Sequence, residues 1–266
     1  MIRTNVYKNG RRHILTMSYD DGQIHDRKLV EIFDKYGIRS TFHLNSGRID
    51  KDGFVTSDDV CKLYKNHEVA CHTVDHPWLE KSTYETVMKE IIEDRAFLEP
   101  LCGYPVRGMS YPFGTHNAKV REIARNCGIA YSRTVGDSMS FNIPDDFMQW
   151  EGTCHHNRCI EAANRFIASA NDDNPWFSGL FYVWGHSFEF ARENNWDMIE
   201  EFCKMMSGRD DTWYATNVEI YDYITAQHAL HISVDEKIIE NPTMIDVWLE
   251  KDREIVKIPS GQTVRF

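Results

Sequence analysis

The sequence predicts an α/β protein, built as a parallel β/α barrel with a short antiparallel β extension at its end. Its 266 residues, 42% of them hydrophobic, suit one barrel with a large core. Strand-like apolar runs alternate with helical patterns, giving roughly eight strands. After about residue 230 the pattern changes to apolar and polar residues that alternate around turn signals. We therefore expect a barrel over residues 1–229 and β-strands packed on it over residues 230–266.

The first predicted elements are a strand, a loop and a helix. The apolar run RHILTMSY (12–19) indicates a buried strand. The next segment, DRKLVEIFDKYG, spaces its apolar residues as a helix does, and Gly37 is a typical helix end. STFHLN (40–45) is the second strand, and we expect Ser57 to cap a short helix after it.

The alternation continues through the rest of the barrel. EVAC (68–71) indicates a strand, and Ser82 and Glu85 have the spacing of a capping box at the start of a long helix. The later predicted strands are VRGMSY, IAYSR, FMQWEGT, LFYVWG and WYAT. One predicted helix between them ends at RNCG, and two more run near 158–170 and 195–207. The last predicted helix is VEIYDYITAQHAL.

Charge and composition exclude several kinds of partner. The net charge of -11 disfavours nucleic acid and anionic membrane surfaces, both of which select a basic face. No stretch is apolar for long enough to cross a bilayer, and the charged N-terminus does not resemble a signal peptide, so we expect a cytoplasmic protein. The seven cysteines are odd in number and form no CxxC pair, which argues against a disulfide framework and against a structural zinc site. We therefore expect buried thiols. The oligomeric state is not indicated.

Polar side chains follow several predicted strands, where the carboxyl ends of parallel strands share one face of a barrel. Two adjacent carboxylates repel each other, so the DDG at 20–22 is either a solvated turn or a site that holds positive charge. Several such groups on one face favour a site. They are Asp20 and Asp21, His72 and His76, the segment 110–114, and His186.

Five segments resemble, in chain order, the motifs of the polysaccharide deacetylases, the NodB homology domain of carbohydrate esterase family four. They are LTMSYDDG, STFHLN, CHTVDHPWL, SYPFGTHN and VWGHS, and the resemblance spans about residues 13–225. It implies a deformed (β/α) barrel of the NodB type. It also implies a metal-dependent carbohydrate deacetylase, which hydrolyses acetyl groups, usually N-acetyl and thus a carbon–nitrogen bond other than a peptide bond. Its departures from the family motifs resemble a divergent branch of the family, similar to domains reported beside polysaccharide lyases.

The resemblance assigns the metal site. It implies that Asp20 is the general base and that Asp21, with His72 and His76, binds one divalent cation. A carboxylate with two imidazoles suits zinc, and also cobalt or nickel. Thr73 is expected to brace the loop that carries the two histidines.

The same resemblance assigns groups around the substrate, an acetylated carbohydrate. It implies that the backbone N–H of Phe113 stabilises the oxyanion and that His186 protonates the leaving amine. Trp184 takes the place of a leucine that lines the acetyl pocket, although core packing would explain it equally well. We also place Tyr111 among the substrate-binding residues.

Two departures from the family pattern need replacements. The arginine that pairs with the catalytic aspartate is Ser110 here, and we expect Arg133, which ends the predicted strand IAYSR, to reach Asp20 instead. For the aspartate and tryptophan beside the acid histidine, Asp146 and Trp150 are candidates, and Glu189 is another possible carboxylate partner. The two histidines of TCHHN, at 155 and 156, are more simply interpreted as loop residues.

Two other functions remain open on the sequence. An O-acetyl esterase acting on a glycan would keep the same residues. A non-catalytic carbohydrate-binding relative would explain the missing arginine, but it would have no need of both Asp20 and His186. The sequence does not name the sugar.

Overall fold

The strands and helices alternate along the chain in a computed structural model that describes residues 1–171 and 177–266. The strands are β1 (Ile2–Arg3), β2 (His13–Asp20), β3 (Ser40–Leu44), β4 (Glu68–Cys71), β5 (Gly108–Ser110), β6 (Tyr131–Arg133), β7 (Cys154–His155), β8 (Gly179–His186), β9 (Thr212–Tyr214), β10 (His231–Ile232), β11 (Ile238–Glu240), β12 (Val247–Lys251), β13 (Glu254–Ile258) and β14 (Thr263–Arg265). The helices are α1 (Asp26–Tyr36), α2 (Ser57–Lys62), α3 (Tyr84–Cys102), α4 (Ala118–Asn126), α5 (Cys159–Asn171), α6 (Ser187–Glu193), α7 (Trp196–Met206) and α8 (Asn217–His228).

The central sheet is parallel and has eight strands, in the order β6-β5-β4-β3-β2-β8-β7, with β9 added on β2. Every residue of β2 is buried, as its apolar sequence predicts. β2 and β8 pair along their whole length, so Asp20 lies directly beside His186. The site residues at the ends of these strands are therefore neighbours in the sheet.

The sheet curls into a half-barrel with its helices outside, which confirms the predicted deformed (β/α) barrel. The strand at one edge of this sheet, β7, has only two residues. Between the edge strands the chain passes from Trp150, which bridges to Arg133 of β6, to Cys154, which pairs with Val183 of β8. This irregular segment replaces a regular strand, and that is what deforms the barrel.

Three local predictions were wrong. FMQWEGT is not a strand, because Asp146 accepts a hydrogen bond from the Met148 N–H and starts a short 3₁₀ helix there. The caps of α2 and α3 are Thr56 and Thr83 rather than Ser57 and Ser82. Each threonine hydroxyl accepts a backbone N–H three residues later, so the cap lies one residue from the predicted position.

Antiparallel strands follow residue 230, as predicted. They form two three-stranded sheets, β1-β12-β13 and β10-β11-β14. The first sheet includes the N-terminal strand β1, and Arg3 and Arg12 both pair with the buried carboxylate of Glu250 in β12. The C-terminal extension is thus joined to the N-terminal segment of the chain. Among the described residues, no helix has the length and apolarity needed to span a membrane.

Candidate active site

A sharp turn brings the two adjacent aspartates to one place. Asp20 ends β2 in extended conformation, whereas Asp21 and Gly22 have positive φ angles of 78° and 65°. A Cβ on Gly22 would lie 2.9 Å from Leu44, so both the conformation and the space favour glycine. Both carboxylates then reach within 3.8 Å of the His72 Nε2 atom.

Asp21, His72 and His76 form a candidate metal centre. One ligand atom from each lies within 4.8 Å of the others, and the His76 Nε2 atom is 4.0 Å from Asp21 Oδ1. That Asp21 oxygen is buried and has no hydrogen-bond partner. A buried oxygen without a donor, facing two imidazole nitrogens, fits a divalent cation of the zinc type.

The imidazoles are held in the form that binds a metal. His72 Nδ1 lies 2.8 Å from the Ser110 carbonyl oxygen and 2.7 Å from the Ser110 hydroxyl, which leaves Nε2 for the site. Burial lowers the pKa of His72 to about 3 and also lowers the pKa of His76. Both rings are therefore neutral near pH 7, as metal ligands must be.

The loop that carries these ligands is braced from three sides. The His76 N–H donates to the Thr73 hydroxyl at 3.1 Å, as expected for Thr73. Two braces were missed in the sequence: Asn45 donates to the carbonyls of His72 and Thr73 at 2.6 and 3.0 Å, and Asp94 accepts the His72 N–H at 3.0 Å. Asp94 lies inside the long helix α3, and its neighbours in the sequence give no signal of this role.

Arg133 lies against Asp20, the contact expected from its position at the end of β6. Its guanidinium donates to Asp20 Oδ2, and the Ser110 hydroxyl donates to Oδ1 at 3.1 Å. Burial alone would raise the pKa of Asp20, but the charge of Arg133, together with smaller contributions from His72, His43 and His186, outweighs burial and holds that pKa well below the ordinary value. Arg107 instead pairs with Asp222 of α8.

His186, at the end of β8, has its carboxylate partner in the first turn of the following helix, α6. The His186 Nδ1 atom lies 3.5 Å from Glu189 Oε2, and His155 and His156 approach that oxygen at 2.9 and 3.4 Å. Burial opposes the charged His186, but the contact with Glu189 and the nearby aspartates outweigh it and raise its pKa. The two consecutive histidines are therefore part of the site, contrary to their interpretation as loop residues.

The alternative partners of His186 are placed elsewhere. Asp146 pairs with Arg125 on the surface. Trp150 is 1% exposed and packs edge-on against Tyr182 in the core. Glu189 is thus the carboxylate that the structure brings to His186.

Aromatic side chains form the rim and the floor of the site. Phe113 has a positive φ of 58° and is 42% exposed, and its ring stacks on Trp78 with centroids 3.9 Å apart. Trp184 packs over the Arg133 guanidinium, 4.9 Å from the ring centroid. Tyr111, expected among the substrate-binding residues, has its side chain in the interior. Its phenol is buried and donates to the Met148 carbonyl at 3.0 Å.

Comparisons with known proteins agree with this arrangement. Residues 7–132 match the family model described as polysaccharide deacetylase. A peptidoglycan-N-acetylglucosamine deacetylase, PgdA of Listeria monocytogenes, is 26% identical over 111 residues, which cover 41% of this chain and 23% of that protein. The match thus spans about a quarter of that relative.

Two solved structures share the fold at low sequence identity. A Mycobacterium smegmatis protein provisionally named a polysaccharide deacetylase has a TM-score of 0.62 and 17% identity, over 86% of this chain and 96% of that one. A family 4 acetyl xylan esterase from Clostridium thermocellum, solved with a cobalt ion, has a TM-score of 0.55 and 12% identity, over 79% and 90%. The family model over residues 7–132 and the shared fold thus agree that this chain is similar to the polysaccharide deacetylases.

Proposed function

We propose that this protein is a metal-dependent hydrolase that removes acetyl groups, N-acetyl in particular, from a carbohydrate. The observation that carries the proposal is the convergence of a candidate metal centre, a carboxylate and a carboxylate-paired histidine at the ends of adjacent strands. These groups would supply the metal ligands, the general base and the general acid that acetyl hydrolysis needs.

Asp21, His72 and His76 would hold the cation, because their ligand atoms converge around an oxygen that has no other partner. A bound zinc, cobalt or nickel ion supplies two things: it polarises the acetyl carbonyl and lowers the pKa of a water molecule. The bracing by Ser110, Asn45 and Thr73 fixes the direction of the ligand atoms.

Asp20 acts as the general base. Its carboxylate is within 3.8 Å of the His72 Nε2 atom, so it borders the space where the attacking water must lie. Arg133 and Ser110 each bind one of its oxygens. They orient the carboxylate and keep it ionised, and an ionised carboxylate is needed to accept the proton.

The backbone N–H of Phe113 is the proposed oxyanion donor. The positive φ of Phe113 belongs to the tight turn Pro112–Gly114 beside His76. Gly114 also has positive φ, and a Cβ there would lie 2.4 Å from Val135. The turn is therefore held in one conformation, as a preorganised donor requires. Trp184, between Arg133 and His155, would line the acetyl pocket.

His186 donates the proton to the leaving nitrogen. Its raised pKa, sustained by Glu189 Oε2 at 3.5 Å, keeps the imidazole protonated at higher pH. An amine leaves an amide only when it is protonated, whereas many alcohols leave an ester unaided. The presence of a general acid, His186 paired with Glu189, favours an N-acetyl substrate over an O-acetyl one.

The metal centre is tested by metal analysis of purified protein. The parent should bind a zinc-type ion at the Asp21 centre, and His72→Ala and His76→Ala should lose it. Thermal unfolding of each variant checks that the fold survives. Retention of that ion by both variants would refute the ligand assignment.

The activity is tested by acetate release from N-acetylated and O-acetylated oligosaccharides by metal-loaded protein. We expect release from N-acetylated sugars, with Asp20→Asn as the inactive control. Release from O-acetylated sugars alone would favour the esterase, and sugar binding without any acetate would favour the non-catalytic relative.

A further inference from the structure

A second group of side chains of the types that bind metals lies beside the first. Ligand atoms of His155, His186 and Glu189 lie within 4.8 Å of one another. They come from β7, the end of β8 and the first turn of α6. His155 is far from the other two along the chain, yet the pairing of β7 with β8 places it beside them. None of them belongs to the Asp21 centre.

The spacing of these atoms suits a small cation. Glu189 Oε2 lies 2.9 Å from His155 Nε2 and 3.5 Å from His186 Nδ1. Ligand atoms about 2.1 Å from a tetrahedral zinc are about 3.4 Å from each other, by the geometry of such sites. The Nε2 atom of buried His156, 3.4 Å from the same oxygen, is a possible fourth donor. At the Asp21 centre the corresponding distances are 3.8 and 4.0 Å.

One of the three donors has free capacity, whereas His155 Nε2 and Glu189 Oε2 are hydrogen-bonded to each other and Oε2 also accepts the His186 N–H at 3.4 Å. His186 Nδ1 is buried and makes no hydrogen bond within the geometric limits, although Glu189 is close to it. Arg192 approaches the other carboxylate oxygen, Glu189 Oε1, at 3.6 Å from an exposed position, which leaves Oε2 to the histidines. One carboxylate oxygen together with imidazole nitrogens is a recognised donor set for a zinc-type ion.

We propose that His155, His186 and Glu189 form a second divalent-cation site, weaker than the Asp21 centre. It is weaker because the Arg192 charge opposes a cation and because the three side chains are less buried than His72. A cation on His186 Nδ1 displaces Glu189 from its role as partner of the acid. Excess metal should therefore inhibit the enzyme, a consequence that rests on the proposed function.

The test counts zinc ions per chain by equilibrium dialysis of chelator-treated, refilled protein. The parent should bind two ions and His155→Ala one, with affinity at the remaining site unchanged. His231→Ala is the matched control, because His231 pairs with Glu240 at 3.0 Å on the C-terminal sheet in a similar His–Glu contact. Glu189→Gln, which keeps the side-chain shape, serves as a second variant if His155→Ala does not fold.

The outcomes separate the two sites. Two ions in the parent, one in His155→Ala and two in His231→Ala support the proposal. One ion in the parent and none in His155→Ala also supports it, and refutes the Asp21 centre instead. Equal ion counts in parent, His155→Ala and Glu189→Gln overturn it, and the His155–Glu189 contact is then a hydrogen bond only.

A kinetic readout follows for an active enzyme. Acetate release by the parent should rise and then fall as free zinc increases. In His155→Ala the fall should require at least about tenfold more zinc, since loss of a ligand weakens a site by that order or more. An identical inhibition curve in the variant would overturn the regulatory part of the proposal.

Discussion

Replacement of Arg133 by methionine should move the acidic limb of the pH–rate profile upward. The substitution keeps an unbranched side chain of similar length in a fully buried position. It removes the positive charge that lies beside the Asp20 carboxylate. Without that charge the ionised carboxylate is disfavoured, its pKa rises, and a larger fraction of Asp20 is protonated at a given acidic pH. A protonated Asp20 cannot act as a base, so the rate falls at a higher pH than in the parent.

Two other carboxylates in the protein give the size of the effect. Asp26 and Asp94 are as buried as Asp20 but are bound by neutral donors, and burial raises their pKa values to about 7 and about 6. Asp20 has the Ser110 hydroxyl as a comparable neutral donor. We therefore expect the limb to move by at least about two pH units, equivalent to about 2.7 kcal/mol.

The assay is kcat/KM for acetate release from pH 4 to 9, with metal content measured at each pH. That measurement is needed because protonation of His72 and His76 also removes a cation at low pH. Arg133→Lys, which keeps the charge, should retain the parental limb at a reduced rate. Arg107→Met, which breaks the half-exposed pair with Asp222, is the control for loss of an arginine in general.

Breaking a buried ion pair can cost about 3–5 kcal/mol of stability, so urea unfolding accompanies the kinetics. If Arg133→Met folds, retains its metal and shows an unchanged acidic limb, Arg133 does not control the ionisation of Asp20. The reading of the chain as a weakened or non-catalytic relative would then regain support.

Four further predictions test single residues. Asp20→Asn should keep the cation by metal analysis and lose about two to four orders of magnitude in kcat, the size of a general-base contribution; loss of the cation would exchange the roles of the two aspartates. His186→Ala should slow an N-acetyl substrate more than an aryl acetate, whose leaving group needs no proton, and equal losses would contradict its role. Asp94→Asn should weaken the cation affinity measured by dialysis by about 10- to 100-fold, because an amide N–H would face a backbone N–H; an unchanged affinity would refute this. Gly108→Ala should lower the free energy of unfolding in urea by about 1–3 kcal/mol, because its Cβ would lie 2.0 Å from the Tyr131 hydroxyl; no loss would show that Tyr131 moves freely.

The sequence predicted the elements whose patterns are local. Alternating strands and helices were readable because buried strands such as β2 are apolar throughout and the helices are amphipathic. The grouping of Asp20, Asp21, His72, His76 and His186 followed from one rule about strand ends. The placement of Arg133 also followed from that rule together with the missing charge at Ser110.

What the sequence did not predict depends on contacts between distant segments. Asp94 braces His72 from the middle of a helix, and nothing in its neighbours distinguishes it from a surface carboxylate. Tyr111 lies within a family motif, but its side-chain direction is set by the Met148 carbonyl in a later segment. The stacking of Trp78 on Phe113 similarly depends on the turn that exposes the Phe113 ring.

The i, i+3 relation between His186 and Glu189 has a consequence for how this chain can diversify. Four consecutive residues, HSFE, encode both the proposed acid and its carboxylate, so no second loop has to be kept in register with them. The segment between β6 and β7, which carries the surface-paired Asp146, is thereby released from proton transfer. Substitutions at Asp146 can therefore occur without disturbing the pairing of His186 with Glu189.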